Sequence, residues 1–259
     1  AYCVIPLRRG RERSRDAQKI LKDAKTFASQ GVREIVLLGQ IIDRYGLDLP
    51  DSPRLPGLLS LLSDIPEIKR LRFLTSHPNW MTDELITSVA ELPKVMPHIE
   101  VPIQAGDDGI LMAMRRGYTN QQYRELVAKL RDRIPGVSIA TDIIVGFPGE
   151  TGAAFQKTYD LLADLRLDVA HLARYSPRPG TYSARELPDD VSTEEKMRRF
   201  RLLEDLQENI LRELNQAYLG KSASVLFEYR IKGRWYGRTP TNRIVFVDTE
   251  EDLAGQERQ

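Results

Sequence analysis

The chain has 259 residues, of which 41% are apolar and 29% are charged. This composition is typical of a soluble globular protein with one large domain and excludes a disordered chain. No apolar run approaches the roughly 20 residues that a membrane span needs, and no segment near the start resembles a signal peptide. We therefore expect a cytoplasmic protein without a membrane partner.

Charge is balanced overall at +1, but its distribution is uneven. Five arginines stand in positions 8–15 beside one acidic residue, and a second basic stretch covers 220–247. Either stretch alone is typical of a solvated face. Two in one chain favour a polyanionic partner, because phosphate binding needs several cations on a connected surface.

In chain order, six short aliphatic stretches alternate with helical periodicity: "YCVIP", "EIVLLG", "RLRFLTS", "HIEVPIQ", "SIATDIIVGF" and "VAHLARYS". Ser14 is the predicted start of the first helix, and Thr119 with Gln122 forms a predicted capping box. The alternation predicts parallel strands in an α/β fold. Six units are too few for a closed eightfold barrel, so an open partial (β/α)6 barrel is predicted over 1–191.

After a proline-rich connection, residues 192–219 show the apolar stripe of one long amphipathic helix, which we expect to pack on the barrel. From 220 to 259 the apolar period changes to two, which predicts a small all-β module. Within that module, Trp235 and Tyr236 are neighbours on one strand, so only one of them should face inward.

Polar residues follow the predicted strands at the edge where parallel α/β folds form their sites. They include Gln104, Asp107 and His77, for which capping a loop or helix is an equally simple role. The "GFPGE" turn alone is weak, because glycine is common between strand and helix. No nucleophile triad or paired-carboxylate spacing stands out. A cofactor would therefore have to supply difficult chemistry.

Six ordered motifs resemble the radical S-adenosylmethionine methylthiotransferases, most closely their tRNA-modifying branch: "YCVIPLRRGRERSR", "LLGQ", "TSHP", "VPIQAGDDGILMAMRRGYT", "DIIVGFPGET" and "YSPRPGT". The resemblance covers almost the whole chain. In that family three cysteines spaced C-x3-C-x2-C hold a 4Fe–4S cluster, and the only cysteine here, Cys3, aligns with the last. The resemblance implies that Cys3 is a metal ligand.

The family's other two cluster cysteines, and an amino-terminal domain with three more for an auxiliary cluster, are absent from this sequence. One thiolate cannot hold such a cluster. We therefore expect a fragment that assembles no cluster and does not turn over. Its β module resembles the start of an RNA-binding TRAM domain and is expected to be incomplete.

For the intact protein, the resemblance implies two 4Fe–4S clusters, S-adenosylmethionine and an electron donor such as flavodoxin or ferredoxin. A 5'-deoxyadenosyl radical abstracts hydrogen from the target carbon, and sulfur from the auxiliary cluster enters as a methylthio group. By position, the cofactor pocket is expected to contain Gln40, Ser76, Gln104, Arg116, Asp142 and Tyr175. Arg116 would pair with a carboxylate, and the neutral groups would bond ribose hydroxyls.

Family branches act on isopentenyladenosine beside the tRNA anticodon, on threonylcarbamoyladenosine there, or on an aspartate of a ribosomal protein. "LLGQ" and "GRTPTNRIVFV" resemble the first branch, whereas "IIDRYG" departs from the family's asparagine-containing "NVN" pattern. The expected partner is the tRNA anticodon stem-loop. The residues expected to contact RNA are Arg8, Arg9, Arg11, Arg13, Arg234, Arg238, Asn242 and Arg243.

Two other classes remain open at this point. A non-catalytic RNA-binding protein on a barrel fold would keep both basic stretches and leave Cys3 inert, but it would not need polar residues at five strand ends. A phosphate-binding aldolase or isomerase would place a catalytic lysine at a strand end, and none stands in those stretches.

Overall fold

The computed structural model describes residues 2–259. Its helices are α1 Ile5–Arg9, α2 Ala17–Ser29, α3 Leu55–Ser63, α4 Asp83–Glu91, α5 Asp108–Ala113, α6 Asn120–Arg133, α7 Gly152–Leu165, α8 Tyr182–Glu186 and α9 Thr193–Gln216. Its strands are β1 Glu34–Leu38, β2 Arg70–Leu74, β3 His98–Glu100, β4 Ser138–Val145, β5 Val169–Arg174, β6 Val225–Ile231, β7 Arg234–Arg238, β8 Ile244–Val247 and β9 Glu257–Arg258. Short 3-10 turns cover Ile42–Arg44 and Pro78–Trp80.

The first five strands are parallel and run in chain order. β1 pairs with β2, and β3, β4 and β5 form a second group. A parallel bridge between Leu71 and Val95 joins the two groups, and the Ser76 amide donates to the Glu100 carbonyl at 3.1 Å. Helices cover the outer face of the sheet, where residues such as Leu58 and Leu62 are fully buried. The predicted open α/β barrel architecture is confirmed.

The first predicted strand is wrong. The stretch "YCVIP" contains no strand, and a short helix, α1, begins at Ile5 within it. Pro6 lies in the first turn of that helix, where its missing N–H costs no hydrogen bond. A short apolar run cannot be assigned to strand or helix by periodicity alone. The sheet of the described chain therefore has five parallel strands instead of six.

Two helix starts test the capping predictions. Thr119 and Gln122 form the predicted capping box at the start of α6. Ser14 does not cap α2, because Asp16 does so by accepting the Lys19 amide at 3.0 Å. The Ser14 hydroxyl instead accepts the Gly46 amide at 2.9 Å, which ties the segment before α2 to the loop after β1.

The long helix α9 packs against β5 and α7. Leu203 and Ile210 are buried in the main core, and Gln207 donates to the Leu167 carbonyl at 3.2 Å. At its start, Arg199 pairs with the buried Glu150 carboxylate at 2.8 Å. Across residues 2–259, no helix combines the length and the apolar character that crossing a membrane requires.

The β module is a four-stranded antiparallel sheet in the order β8-β7-β6-β9. Trp235 is buried in the module's own small core, whereas Tyr236 on the other face is half-buried. The prediction that only one of the two faces inward is confirmed. Tyr236 stacks on the exposed Tyr229 at a ring-centre distance of 5.0 Å.

The module docks on the parallel sheet through two buried arginines of β2. Arg70 donates to the Arg238 carbonyl at 2.5 Å, and Arg72 donates to the Thr239 and Pro240 carbonyls, both at 2.8 Å. Both guanidinium groups are about 1% exposed. Because Arg70 is the first residue of β2 and Arg72 lies two residues further on the same face, they bring the module to the starting ends of the parallel strands.

Further contacts at the same end come from the other strands. Glu34 at the start of β1 pairs with Arg238 at 2.6 Å, and His98 at the start of β3 lies 3.4 Å from the Asn242 amide. Asp168, directly before β5, pairs with Arg243 at 2.8 Å. The opposite end of the sheet, formed by the strand ends and the loops after them, is left free and is called the mouth below.

Candidate cofactor and nucleic-acid site

Two non-glycine residues at the mouth have left-handed backbone. Thr75 directly follows β2 with φ 70°, and Gln104 follows β3 with φ 79°. Backbone bonds hold both positions: the Ile42 amide donates to the Thr75 carbonyl at 3.1 Å, and the Gln104 amide donates to the Asp142 carbonyl at 2.9 Å. Such backbone costs on the order of 1 kcal/mol or more and concentrates at ligand sites.

Two buried hydroxyls at the mouth have no partner within the described residues. The Ser76 Oγ after β2 and the Tyr175 hydroxyl after β5 are both buried and make no hydrogen bond there. The Tyr175 ring packs edge-on against Phe147 at 5.1 Å, and Phe147 packs against Tyr2 at 6.2 Å. Unpaired buried hydroxyls are costly, and a polar ligand at the mouth would satisfy them.

Arg116 points into the same region from the loop after α5. Its Nε donates to the Tyr118 hydroxyl at 2.7 Å, and its Nη2 donates to the Pro102 carbonyl at 3.3 Å. Burial raises the pKa of the Tyr2 hydroxyl, while the charge and hydrogen bonding of Arg116 lower it. Arg116 is therefore close to the segment that carries Cys3.

A cluster that sequence reasoning missed lies on the inner face of β3, β4 and β5. Asp142 of β4 is the register partner of His171 on β5. Glu100 of β3 is the register partner of Ala140, which lies two residues before Asp142 on β4. Residues two apart share a strand face, so all three side chains point the same way. Only Asp142 was predicted; Glu100 and His171 escaped notice because the sequence does not show which strand positions become neighbours.

Burial and neighbouring charges shift the pKa of both carboxylates in this cluster. Burial, and then the charge of Asp142, raise the pKa of Glu100. Burial raises the pKa of Asp142, against the lowering effects of His171 and Arg116. Neither side chain has a hydrogen bond or ion pair within the part of the chain that the structure describes. Both remain available as acceptors for a ligand's amino or hydroxyl groups.

Gln40 is the one predicted pocket residue that does not lie with the others at the mouth. It follows β1 and lines a cavity of about 1060 Å³ between α2 and the edge of β1. Its neighbours there include Phe27, Leu38 and Gly39. The other five predicted pocket residues lie at or just inside the mouth: Ser76, Gln104, Arg116, Asp142 and Tyr175.

Other polar residues after the strands have structural roles, as the capping alternative predicted. The His77 ring accepts the Asn79 amide at 3.3 Å, and Asp107 caps α5 by accepting the Ile110 amide at 3.0 Å. In the "GFPGE" turn, the Gly146 amide donates to Glu150 at 2.6 Å. That hydrogen bond and the Arg199 pair lock the turn against α9.

The only cysteine, Cys3, is exposed beside the mouth. Between residues 2 and 259, no three or more histidine, cysteine or acidic side chains are grouped so that they could hold a metal ion. One thiolate does not fit a 4Fe–4S cluster, which takes several. The unpaired Ser76 and Tyr175 hydroxyls and the free carboxylates do fit a ligand such as S-adenosylmethionine, which carries an amino group and ribose hydroxyls.

The predicted RNA contacts fall into two groups. Exposed residues are Arg8, Arg9, Arg11, Arg13 and Arg234. In contrast, Arg238 pairs with Glu34 and Glu228, each at 2.6 Å, and Arg243 pairs with Asp168. Asn242 lies between Arg238 and His98. These three side chains join the module to the sheet, so their contact with RNA stays a prediction.

Comparison with known proteins places these features in context. Residues 1–162 match the family model for the Radical SAM superfamily. The chain is 52% identical, over 99% of its length, to 54% of the tRNA-2-methylthio-N(6)-dimethylallyladenosine synthase of Roseiflexus sp. (strain RS-1). It is 48% identical, over 98% of its length, to 61% of the synthase of that name from Dehalococcoides mccartyi (strain ATCC BAA-2266 / KCTC 15142 / 195). The chain thus spans little more than half the length of the curated relatives it matches.

Solved structures agree on the fold. Coproporphyrinogen III oxidase (HemN) from Escherichia coli, a radical SAM enzyme, superposes with a TM-score of 0.52 over 78% of this chain and 46% of its own, at 15% identity. SuiB from Streptococcus suis gives 0.51 over 80% and 42%, at 14% identity. At such identities the likeness shows the fold alone.

Proposed function

Because the chain belongs to the radical SAM superfamily, we propose that the intact protein is a tRNA methylthiotransferase that adds a methylthio group to C2 of N6-isopentenyladenosine beside the anticodon. The observation that carries this proposal is the high identity, along nearly the whole chain, to synthases named for dimethylallyladenosine. Those names favour this branch over threonylcarbamoyladenosine or a ribosomal-protein aspartate. Family membership argues against an RNA-binding protein without catalysis.

In this proposal the mouth holds S-adenosylmethionine, which supplies one-electron chemistry for attack on an unreactive C–H bond. The Ser76 and Tyr175 hydroxyls, unpaired and buried, would bond its ribose. Arg116 would pair with its carboxylate. Glu100 and Asp142 would accept hydrogen bonds from its amino group, deeper on the inner sheet face.

The described residues supply one thiolate toward a cluster and do not hold one by themselves. We propose that Cys3 is the last ligand of a cluster completed by other parts of the intact protein, with a second cluster as sulfur donor. A flavodoxin or ferredoxin in the cytoplasm would deliver the electrons. The exposed arginines of positions 8–13 and the TRAM-like β module would contact the anticodon stem-loop.

The test is to purify the intact protein without oxygen, reconstitute it with iron and sulfide, and incubate it with isopentenylated tRNA, S-adenosylmethionine and a reductant. Digestion and mass spectrometry of the nucleosides should show the methylthio derivative. Iron analysis should give roughly eight iron atoms per chain for two 4Fe–4S clusters. Cys3→Ala should lose about half the iron and all of the product.

Three variants connect the chemistry to the mouth. Tyr175→Phe and Ser76→Ala should weaken S-adenosylmethionine binding, while Tyr229→Phe, on the distant face of the β module, should leave it unchanged. If the fully reconstituted protein leaves the tRNA without a methylthio group, the proposed function is contradicted. A product on threonylcarbamoylated tRNA instead would move the protein to the other branch.

A further inference from the structure

Two exposed aromatic side chains at the mouth each lie against an arginine. Trp80, in the 3-10 turn after β2, has the Arg44 guanidinium 5.1 Å from its ring centre. Arg44 itself belongs to the 3-10 turn after β1. The Trp80 side chain is 38% exposed although it is large and apolar, so part of its ring remains open to a ligand.

The second pair joins Arg115, in the loop after α5, to Tyr182, the first residue of α8. These residues belong to the connections that follow β3 and β5. The Arg115 guanidinium lies 4.3 Å from the ring centre of Tyr182, which is also 38% exposed. Arg115 is exposed and has left-handed backbone, with φ 59°. Each pair thus joins an open aromatic ring to a cation, on loops that extend from the carboxyl ends of four different strands.

The loops of the two pairs touch each other. Asn79, next to Trp80, donates to the carbonyl of Gly117, two residues after Arg115, at 3.0 Å. The His77 and Tyr118 rings pack edge-on at 5.4 Å between the same two loops. The pairs therefore belong to one connected rim.

The basic segment of residues 8–13 runs along this rim. Glu12 of the segment pairs with Arg44 at 2.9 Å. At its other end, a Cβ at Gly180 would lie 3.2 Å from Leu7, so α1 contacts the loop that leads to Tyr182. Three exposed arginines, Arg8, Arg9 and Arg11, thus lie between the contacts to the two aromatic pairs. Their charge matches a phosphate backbone.

We propose that Trp80 and Tyr182 are stacking platforms for unpaired RNA nucleotides on either side of the base that enters the mouth. Single-stranded RNA is held by bases stacked on aromatic rings and arginine planes, beside cations that follow the backbone. This inference rests on the proposed function, because it assumes an RNA substrate. It places the contacts to individual bases at the mouth. The aromatic face of the β module lies at the other end of the sheet.

The test is fluorescence anisotropy with a labelled hairpin RNA that carries the anticodon loop, titrated with the 259-residue chain. Trp80→Ala and Tyr182→Ala should each weaken binding about tenfold, the scale of one lost base stack. Trp80→Phe and Tyr182→Phe keep a ring and should stay within about threefold of wild type. Phe27→Ala removes an exposed aromatic of α2, outside both the mouth and the β module, and serves as the matched control, which should keep the wild-type affinity.

Thermal unfolding of each variant separates loss of binding from loss of fold. Unchanged hairpin affinity in both folded alanine variants would overturn the inference and leave the proposed function standing. A loss in Phe27→Ala as large as in the two alanine variants at the mouth would show that the effect is not specific to the mouth and would also overturn the inference. If the wild-type chain does not bind the hairpin, the inference falls, while the nucleoside assay with the intact protein judges the proposed function separately.

Discussion

The Arg238 guanidinium lies 2.6 Å from the Glu34 carboxylate, which joins the β module to the first residue of β1. The Glu34 side chain is 7% exposed and also accepts from Arg72, so it is a buried anion held by two cations. Removing one partner of a buried pair leaves an uncompensated charge. The docking of the module therefore depends on this residue.

Arg238→Ala should lower the free energy of unfolding by about 3 kcal/mol, since it strips Glu34 and Glu228 of a partner. Urea denaturation followed by circular dichroism measures this change. Arg234→Ala, on the same strand but exposed, is the matched control and should change stability by less than about 0.5 kcal/mol. Equal effects of the two substitutions would show that the Glu34 pair does not hold the module.

Gly106→Ala should destabilise the protein by about 3 kcal/mol or more. A Cβ at Gly106 would lie 2.5 Å from the Lys157 carbonyl oxygen and from the Thr158 Cα, both backbone atoms of α7. Overpacking against backbone forces the loop away from the helix, and the Gly106 amide would lose its 2.8 Å bond to the Thr158 hydroxyl.

Gly152→Ala is the control for that substitution. Gly152 begins α7, and a Cβ there meets nothing within 4 Å. The change should leave stability unaltered or raise it by up to about 1 kcal/mol, because alanine restricts the unfolded chain. Thermal melts of both variants decide the point, and a stable Gly106→Ala protein would contradict the close approach of the loop to α7.

The free energy of unfolding should fall with rising pH in the wild-type protein because of Asp43, and Asp43→Asn should abolish this fall. Burial raises the pKa of Asp43 to about 6, although its carboxylate accepts the His77 amide at 2.9 Å. The folded state therefore retains a proton that the unfolded state has released, and stability falls as pH rises from about 4 to 6.

Asparagine accepts the same amide and carries no charge. We expect the variant to be close to wild type near pH 4 and about 2 to 3 kcal/mol more stable at pH 7. Urea unfolding across this range provides the measurement. A variant less stable than wild type at pH 7 would show that the ionised carboxylate strengthens the loop after β2.

In His98→Gln, the free energy of unfolding should fall less between pH 7 and pH 4.5 than it does in the wild-type protein. Burial, and then the charge of Arg72, lower the pKa of His98 to about 4. Its folded pKa lies below the unfolded value, so its contribution is complete above about pH 6.5 and is lost as pH falls toward 4. The expected loss for wild type is about 2 to 3 kcal/mol over that interval.

Glutamine keeps a polar group toward Ser138 and Asn242 but does not titrate there. Unfolding free energies at pH 7 and pH 4.5 in both proteins measure the difference. His77, whose pKa burial also lowers to about 4, should retain its own acid dependence in the variant. An unchanged slope in His98→Gln would rule out protonation of His98 as a cause of acid sensitivity.

Much of the fold follows from local pattern. The alternation of aliphatic and amphipathic stretches predicts the parallel strands, and the spacing of Thr119 and Gln122 predicts a helix start that forms as expected. The alternation along β7 predicts that only one of Trp235 and Tyr236 faces inward, and in the structure it is Trp235. These features depend on residues a few positions apart, so the sequence displays them directly.

What sequence reasoning missed depends on distant partners. Glu100 and His171 become neighbours of Asp142 through the registers of three strands, which no local spacing reveals. From the sequence, Arg238 is one of several cations in a basic stretch. In the structure it pairs with Glu34, which lies more than two hundred positions earlier in the chain. The short stretch at the start is ambiguous for the opposite reason, because Pro6 suits a first helical turn and an apolar run suits either structure.

The backbone of Thr75 and Gln104 has a consequence for how this protein can be improved. If stability alone were selected, glycine would stand at both positions, since only glycine adopts φ near 70–80° without strain. Side chains at these two positions therefore cost stability at the edge of the sheet where the proposed ligand would bind. Stabilising substitutions at the rim of the mouth will therefore tend to remove function, whereas the helices on the outer face can be strengthened freely.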